Sequence, residues 1–215
     1  LDIVVHMPYV VSLCKSISEN ITLATLNYEV GMAKLLNSIG VKYMVTHIGG
    51  ISEGSSIKQG VKYIWDFCLR WLQLTEGLDI ILCLENDTGS KKGTKMGYLK
   101  VLSGIVKKIN SPRIRMCLDT EHAYGAGCDL SLDELKSYQD CISVVHFNAI
   151  PDYVELGSHL DRHSTTSLDE SKINLIEQFK YFYNNEIPFI YEVESEDYVE
   201  RNNKWLKEAY YGRND

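Results

Sequence analysis

The sequence predicts an α/β fold in which a parallel sheet is closed toward a barrel. Two observations carry that expectation: short apolar runs alternate with helix-patterned segments along the whole chain, and each of the six runs ends at His, Asp or Glu. Such alternation gives a parallel sheet with helices outside it. An open sheet would scatter its outer strand tips, whereas a barrel gathers all of them on one rim, so six chemically similar tips favour the barrel.

The elements run in order. Asp2–His6 is a short apolar run, and Ile21–Ser38 comes next with Leu26, Val30, Ala33 and Leu36 at helical spacing before Gly40. Val41–His47 repeats the strand pattern, Gly49 and Gly50 open a loop, and Ile57, Val61, Ile64, Cys68 and Leu72 make one face of a second helix. Leu78–Glu85 is nearly all apolar, as a strand covered on both faces should be, and Leu99, Leu102, Ile105 and Ile109 belong to the next helix. Arg113–Asp119 is the fourth strand, and Ser131 is placed to cap a short helix bearing Leu132, Leu135 and Tyr138. Ile142–His146 is the fifth. A long loop then reaches to about Asp169, before Ile173, Ile176, Phe179 and Tyr183 form a helix face. Ile187–Glu192 is the last strand, followed by a helix through Val199, Trp205 and Leu206. No repeat, low-complexity tract or linker divides the series, so residues 1–215 read as a single domain. Six units are two short of eight, and the chain starts at Leu1 beside a strand instead of at Met. The expectation is a TIM (β/α)8-type barrel, incomplete at its N-terminal side, with further sequence upstream.

At 215 residues and 45% hydrophobic the chain can bury a sizeable core. A formal charge of −7 and a pI near 5.4 argue against a non-specific nucleic-acid binder, unless the acidic residues hold cations. No apolar run approaches the roughly 18 residues of a membrane span, and no basic, apolar and cleavage-site series marks secretion. Cys14, Cys68, Cys83, Cys117, Cys128 and Cys141 form no C-x-x-C pair and read as small buried hydrophobes. Together these predict an intracellular protein of a reducing compartment, cytoplasmic or nuclear, with no membrane partner.

The strand tips carry His6, His47, Glu85, Asp119, His146 and Glu192. Taken singly, a strand-end histidine is more often a satisfied polar group than a ligand, and a strand-end carboxylate more often caps the next helix. Six of six is rare by chance. His122 stands one turn after Asp119 on a Gly-rich loop, and Asp161 and His163 occupy the long loop, where Asp-x-His puts two ligand groups on one side of an extended chain. Five of the six histidines are thereby assigned, leaving only His159. A metal centre is the reading these residues support.

Longer motifs surround them: Leu84-Glu-Asn-Asp-Thr-Gly89, Cys117-Leu-Asp-Thr-Glu-His-Ala-Tyr-Gly-Ala-Gly-Cys-Asp129, Val145-His-Phe-Asn148 and Leu160-Asp-Arg-His163. Through them the chain resembles the endonuclease IV family of apurinic/apyrimidinic endonucleases, from about residue 2 to residue 200. That resemblance implies a TIM barrel with three Zn²⁺ at the C-terminal rim, although ligand type alone leaves room for Mn²⁺ or Fe²⁺ at a site. It implies that His6, His47 and Glu85 hold one zinc, that Glu85, Asp119, His146 and Glu192 hold the second, and that His122, Asp161 and His163 hold the third. Glu85 would bridge the first two, and Asp119 and His122 would serve different ions. The implied reaction is hydrolysis of the phosphodiester 5′ to an abasic site in double-stranded DNA, a base excision repair step that leaves a 3′-hydroxyl, with Glu85, Asp119 and Glu192 as its catalytic carboxylates. Three Zn²⁺ would bring the formal charge from −7 to −1 and place the positive charge where a phosphate sits. Lys91, Lys92, Lys95 and Arg162 are candidate DNA contacts at that rim, and Tyr9 matches a tyrosine bordering the family's DNA pocket. The protein is expected to act as a monomer. The family has two further βα units before the strand of His6, and the first of their loops supplies DNA-recognition residues. This chain also has Ile48 where the family has Pro, Ala149 where it has Asp, and Ser164-Thr-Thr-Ser167 after His163. Two other classes share the pattern: a metal-dependent sugar isomerase on the same barrel, and an inactive DNA-binding fragment of the repair family.

Overall fold

In the computed structural model six parallel strands form one sheet, and their order in space is their order in the chain. The structure describes residues 3–9, 11–51, 54–89, 97–160, 165–192 and 195–212. The strands are β1 (Val4–His6), β2 (Tyr43–Thr46), β3 (Ile81–Glu85), β4 (Ile114–Asp119), β5 (Ile142–His146) and β6 (Phe189–Ile190). Helices α1 (Asn20–Ser38), α2 (Ile57–Leu74), α3 (Leu99–Ile109), α4 (Thr120–Gly125), α5 (Leu132–Lys136), α6 (Ile176–Asn184) and α7 (Glu196–Tyr211) connect and follow them. No helix among the described residues is long and apolar enough to cross a membrane.

The sheet curls. Adjacent strands stand about 4.8 Å apart, so β1 and β5 would be about 19 Å apart in a flat sheet. The rings of His6 and His146, at the tips of those strands, are 5.5 Å apart. The result is a partial barrel, in which β1 pairs with β2 and β6 with β5 and no strand described bridges β6 to β1.

Two apolar clusters divide the strands by side-chain parity. Met44, Leu82, Leu84, Met116, Leu118 and Val145 join the large core beneath the helices, while Val45, Cys83, Cys117 and Val144 form a separate small cluster on the concave face. Alternation along a strand then decides which way each tip residue points. His47, Glu85, Asp119 and His146 each lie two residues beyond a member of the concave cluster, so the same face that packs the interior carries the polar tips. In β5 the alternation is broken once. Met116 pairs with Ile142, but Cys117 pairs with Val144, leaving Ser143 as an extra residue that accepts a 3.0 Å hydrogen bond from Arg115 Nε. Ile142 packs with the outer core and Val144 with the inner one, as if Ser143 were not counted.

Helix ends match the sequence where a cap is present. Ser56 and Gln59 form a reciprocal capping box at the start of α2. Ser131 accepts from the Glu134 amide at α5, and Asn110 ends α3 in the left-handed region. Two expectations shift. α6 begins at Ile176 because the Asn174 side chain takes up the Ile176 amide, leaving Ile173 outside the helix. The segment bearing His122 is a short helix and not a loop.

Beneath the rim, Glu29 of α1 is fully buried and accepts a 2.6 Å hydrogen bond from Thr46 Oγ1. Burial pushes its carboxyl up to about 8, from 4.5. A raised carboxyl favours the folded state below the unfolded value and loses that contribution as pH climbs from about 4.5 through about 8. Glu29→Gln should therefore flatten the decline of thermal stability over that pH range and raise Tm at pH 8; a melting profile with an unchanged slope would contradict this.

Candidate metal centre

The rim is assembled around one carboxylate. Glu85, at the end of β3, is 1% exposed, and its two oxygens meet three imidazoles: His6 Nε2 at 3.0 Å, His47 Nδ1 at 3.1 Å and His146 Nδ1 at 3.0 Å. His146 Nδ1 also lies 3.1 Å from Glu192 Oε2. His47 and Glu192 stand just past the ends of β2 and β6, while the other four tip residues terminate their strands. His6, Glu85, His146 and Glu192 each offer a ligand atom within 4.8 Å of the others, and so do Glu85, Asp119 and His122. All six predicted strand-tip residues, and His122, thus converge.

Asp119 does two things at once. Its Oδ1 caps α4 by accepting from the His122 amide at 2.7 Å, and its Oδ2 accepts from Asn148 Nδ2 at 2.7 Å on the site's side. The cap and the bond on the site's side use different oxygens of one group, so capping α4 still leaves Oδ2 facing the other tip residues. His122 is turned by its own bond: Nδ1 donates to the Asn86 carbonyl at 2.9 Å, which makes Nε2, on the far side of the ring, the basic nitrogen. His6 is fixed in the same way, through Nδ1 and the Met7 carbonyl at 2.7 Å.

Two asparagines brace the strand tips. Asn86 accepts from the Asp119 amide at 2.7 Å and donates to the Asp119 carbonyl at 3.0 Å, which locks the tip of β3 to that of β4. Asn148 donates to Asp119 Oδ2 and, at 3.3 Å, to Glu192 Oε2, while its own oxygen accepts from the Glu192 amide at 3.2 Å. Thr120 Oγ1 donates to the Asn148 carbonyl at 2.6 Å and accepts from its amide at 2.9 Å. Both asparagines stand inside sequence motifs, Leu84–Gly89 and Val145–Asn148, but their partners lie 29 to 44 residues away, where no spacing rule reaches. Asn148→Ala should weaken divalent-metal affinity by about 10- to 100-fold, the usual cost of losing a group that orients a ligand. Titration with Co²⁺ would measure it, and an unchanged affinity would remove Asn148 from that role.

The electrostatics ask for positive charge. Burial opposes the Glu85 carboxylate, but His146 and His6 hold it well below the usual range. Burial also disfavours a charged His146, yet contacts with Cys117, Glu192 and Glu85 raise it well above 6.5. Burial, with the charges of Glu192 and Glu85, pushes Asp119 well up. Glu192 is drawn down to about 2, its burial outweighed by His146. Three largely buried carboxylates are thus balanced only by protons on neighbouring groups, the condition a divalent cation relieves. Mixed imidazole and carboxylate donors in an inward-facing, hydrogen-bonded cluster fit such an ion.

Tyr9 is 59% exposed, with its ring edge-on to His47 at 4.9 Å. Lys91, Lys92, Lys95, Asp161, Arg162 and His163 lie outside the described residues.

Comparison with known proteins agrees with this geometry. Residues 1–210 match the family profile described as a xylose isomerase-like TIM barrel. A "probable endonuclease 4" of Mycoplasmopsis synoviae is 31% identical over 205 residues, which cover 89% of this chain and 69% of that protein. The chain belongs to the endonuclease IV family. A second endonuclease IV relative, the "probable endonuclease 4" of Metamycoplasma arthritidis, is 28% identical over 186 residues, covering 83% of this chain and 64% of its own length. The chain therefore spans about two thirds of the length of these curated endonuclease IV relatives. Among solved structures, endonuclease IV from Thermus thermophilus superposes with a TM-score of 0.77 at 22% identity, over 99% of this chain and 77% of that one. A D-tagatose 3-epimerase-like protein superposes at 0.75 with 21% identity, over 97% and 77%, so the fold alone does not separate nucleases from carbohydrate enzymes.

Proposed function

We propose that this protein is a zinc-dependent apurinic/apyrimidinic endonuclease of base excision repair, a hydrolase that cuts the phosphodiester 5′ to an abasic site in duplex DNA and leaves a 3′-hydroxyl. The observation that carries the proposal is Glu85, a buried carboxylate shared by three imidazoles at one end of a curled sheet. His6, His47 and Glu85 would hold one zinc ion, and Glu85, Asp119, His146 and Glu192 a second. His122, with Asp161 and His163, would hold a third. Its Nδ1, 3.8 Å from Glu85 and 3.9 Å from Asp119, is spent on the Asn86 carbonyl, and this supports service of Nε2 to a separate ion. When bound, divalent ions supply hydroxide at neutral pH and neutralise phosphate and leaving oxygens.

The chain's own part is arrangement. Glu85, Asp119 and Glu192 present carboxylate oxygens held in place by His146 and Asn148. Tyr9, exposed beside His47, offers a flat wall for a sugar turned out of the stack, a motion made cheaper by the missing base. Lys91, Lys92, Lys95 and Arg162 would meet backbone phosphates. The protein would act as one domain and a monomer.

Counting metal per chain and incubating the protein with a duplex carrying one abasic analogue tests the reading. About three ions with strand cleavage supports it. One or two ions without cleavage would sink it in favour of a sugar isomerase or epimerase, the second class sharing this fold.

A further inference from the structure

We infer that His159, the one histidine among the described residues that lies outside the rim cluster, is a positioning residue that clasps three rim segments together and thereby fixes the orientation of His122. The inference rests on the metal-centre reading above. Its basis is an interlock at one corner of the rim. His159 Nδ1 donates to the Thr88 carbonyl at 2.6 Å, and its amide donates to the Gly125 carbonyl at 2.9 Å. One side chain and its own backbone thus bind the segment after β3 and the end of α4 simultaneously. The half-buried Tyr98 ring stacks parallel to the imidazole, with centroids 6.3 Å apart and planes 3° from parallel.

The corner is built for close approach. A Cβ at Gly89 would sit 2.7 Å from the Tyr98 ring, and one at Gly125 would sit 2.9 Å from the Leu160 carbonyl and 3.3 Å from Thr88 Cγ2. Side chains at either position would push the three segments apart. His159 itself has φ of +59°, a left-handed conformation that a non-glycine residue holds only where its surroundings enforce it. Here the enforcing contacts are its two hydrogen bonds and the stacked ring.

The path to the metal centre is short. Thr88, held by His159, is two residues after Asn86, whose carbonyl receives the Nδ1 proton of His122. Thr88 also packs against Gly125, the last residue of the helix that carries His122. Loss of the His159 bond loosens the segment that follows the acceptor of the His122 Nδ1 proton and its packing against the helix that aims the ring. A ligand whose second nitrogen loses its partner loses both orientation and basicity.

His159→Gly and His159→Asn separate this role from mere backbone tolerance. Glycine keeps the left-handed φ and deletes the donor, whereas asparagine tolerates that φ and retains a side-chain N–H near the Nδ1 position. In metal-free protein, ¹⁵N–¹H correlation of the imidazoles should show His122 as a single Nδ1–H tautomer in the wild type and in His159→Asn, and as a mixture in His159→Gly. Titration with Co²⁺ should show one site weakened by about 10- to 100-fold in His159→Gly and restored in His159→Asn. Tyr98→Leu, which removes the stacked ring and leaves the hydrogen bond, is a second variant and should shift both readouts in the same direction by a smaller factor. A His159→Gly protein, or a Tyr98→Leu protein if the former does not fold, with an unaltered His122 tautomer and unaltered Co²⁺ affinities overturns the proposal. Neither readout needs DNA. Failure of the wild type to nick abasic duplex would overturn the nuclease reading and leave the clasp standing, while a nicking wild type with unaltered variants would overturn the clasp alone.

Discussion

Glu85→Ala should abolish nicking of abasic DNA, with a loss larger than the roughly 10- to 100-fold expected when a residue only orients a ligand. The reason is its position. Glu85 is in contact with His6, His47 and His146 at 3.0 to 3.1 Å, so its removal unbalances imidazoles from three different strands at once. His163→Ala, at a position assigned to one ion, should leave more activity than Glu85→Ala. Metal content should move in parallel, with a deeper loss for Glu85→Ala than for Asn148→Ala. Equal residual activities in Glu85→Ala and His163→Ala, measured at saturating metal, would contradict a bridging role for Glu85.

Stripping metal with a chelator should lower the melting temperature substantially. Binding to the folded state alone contributes about 2.7 kcal/mol when the free ligand stands at about 100 times its Kd. For a chain of this size that corresponds to roughly 5–10 °C per ion. Without the cation, the charges of Glu85, Asp119 and Glu192 are offset only by shared protons, so the stripped protein also retains repulsion that metal would remove. Readdition of Zn²⁺ should restore the melt, and readdition of Mg²⁺, which prefers oxygen donors in octahedral array, should do so poorly. A melting curve indifferent to chelator would show that the cluster holds no structural metal.

Much of the barrel and its rim was legible in the sequence. Near-continuous apolar runs such as Ile81–Leu84 identify buried parallel strands, and a His, Asp or Glu at or just past the end of each run names the side chain at the rim. The chemical likeness of the six tips implies a curled sheet, and the approach of His6 to His146 is that curl. The rest depended on contacts that no local pattern encodes. The six-residue α4 has too few turns for a periodic signal, and its cap is the strand-tip residue Asp119 itself. Asn86 and Asn148 were visible as letters in motifs, yet the groups they brace lie on other strands. His159 has no local pattern to mark it, because its partners, Thr88 and Gly125, are 71 and 34 residues away. Which imidazole nitrogen faces the cluster is likewise set by ring rotation, and Nδ1 bonds such as those of His6 and His122 decide it.

The extra residue in β5 bears on which changes of chain length this centre can survive. Met116 faces Ile142 and Cys117 faces Val144, so Ser143 stands outside the pairing, and its removal would leave a regular strand with His146 in the same phase. Beyond Val144 there is no such slack. Successive side chains alternate between faces, so losing one residue between Val144 and His146 would turn the imidazole toward the helices and leave Glu85 and Glu192 without it. The same count of two separates Val45 from His47, Cys83 from Glu85 and Cys117 from Asp119. The small concave cluster is in this sense the origin from which the tip residues are measured: below it β5 can shed Ser143, and above it the length of the chain is as much a part of the rim as any side chain.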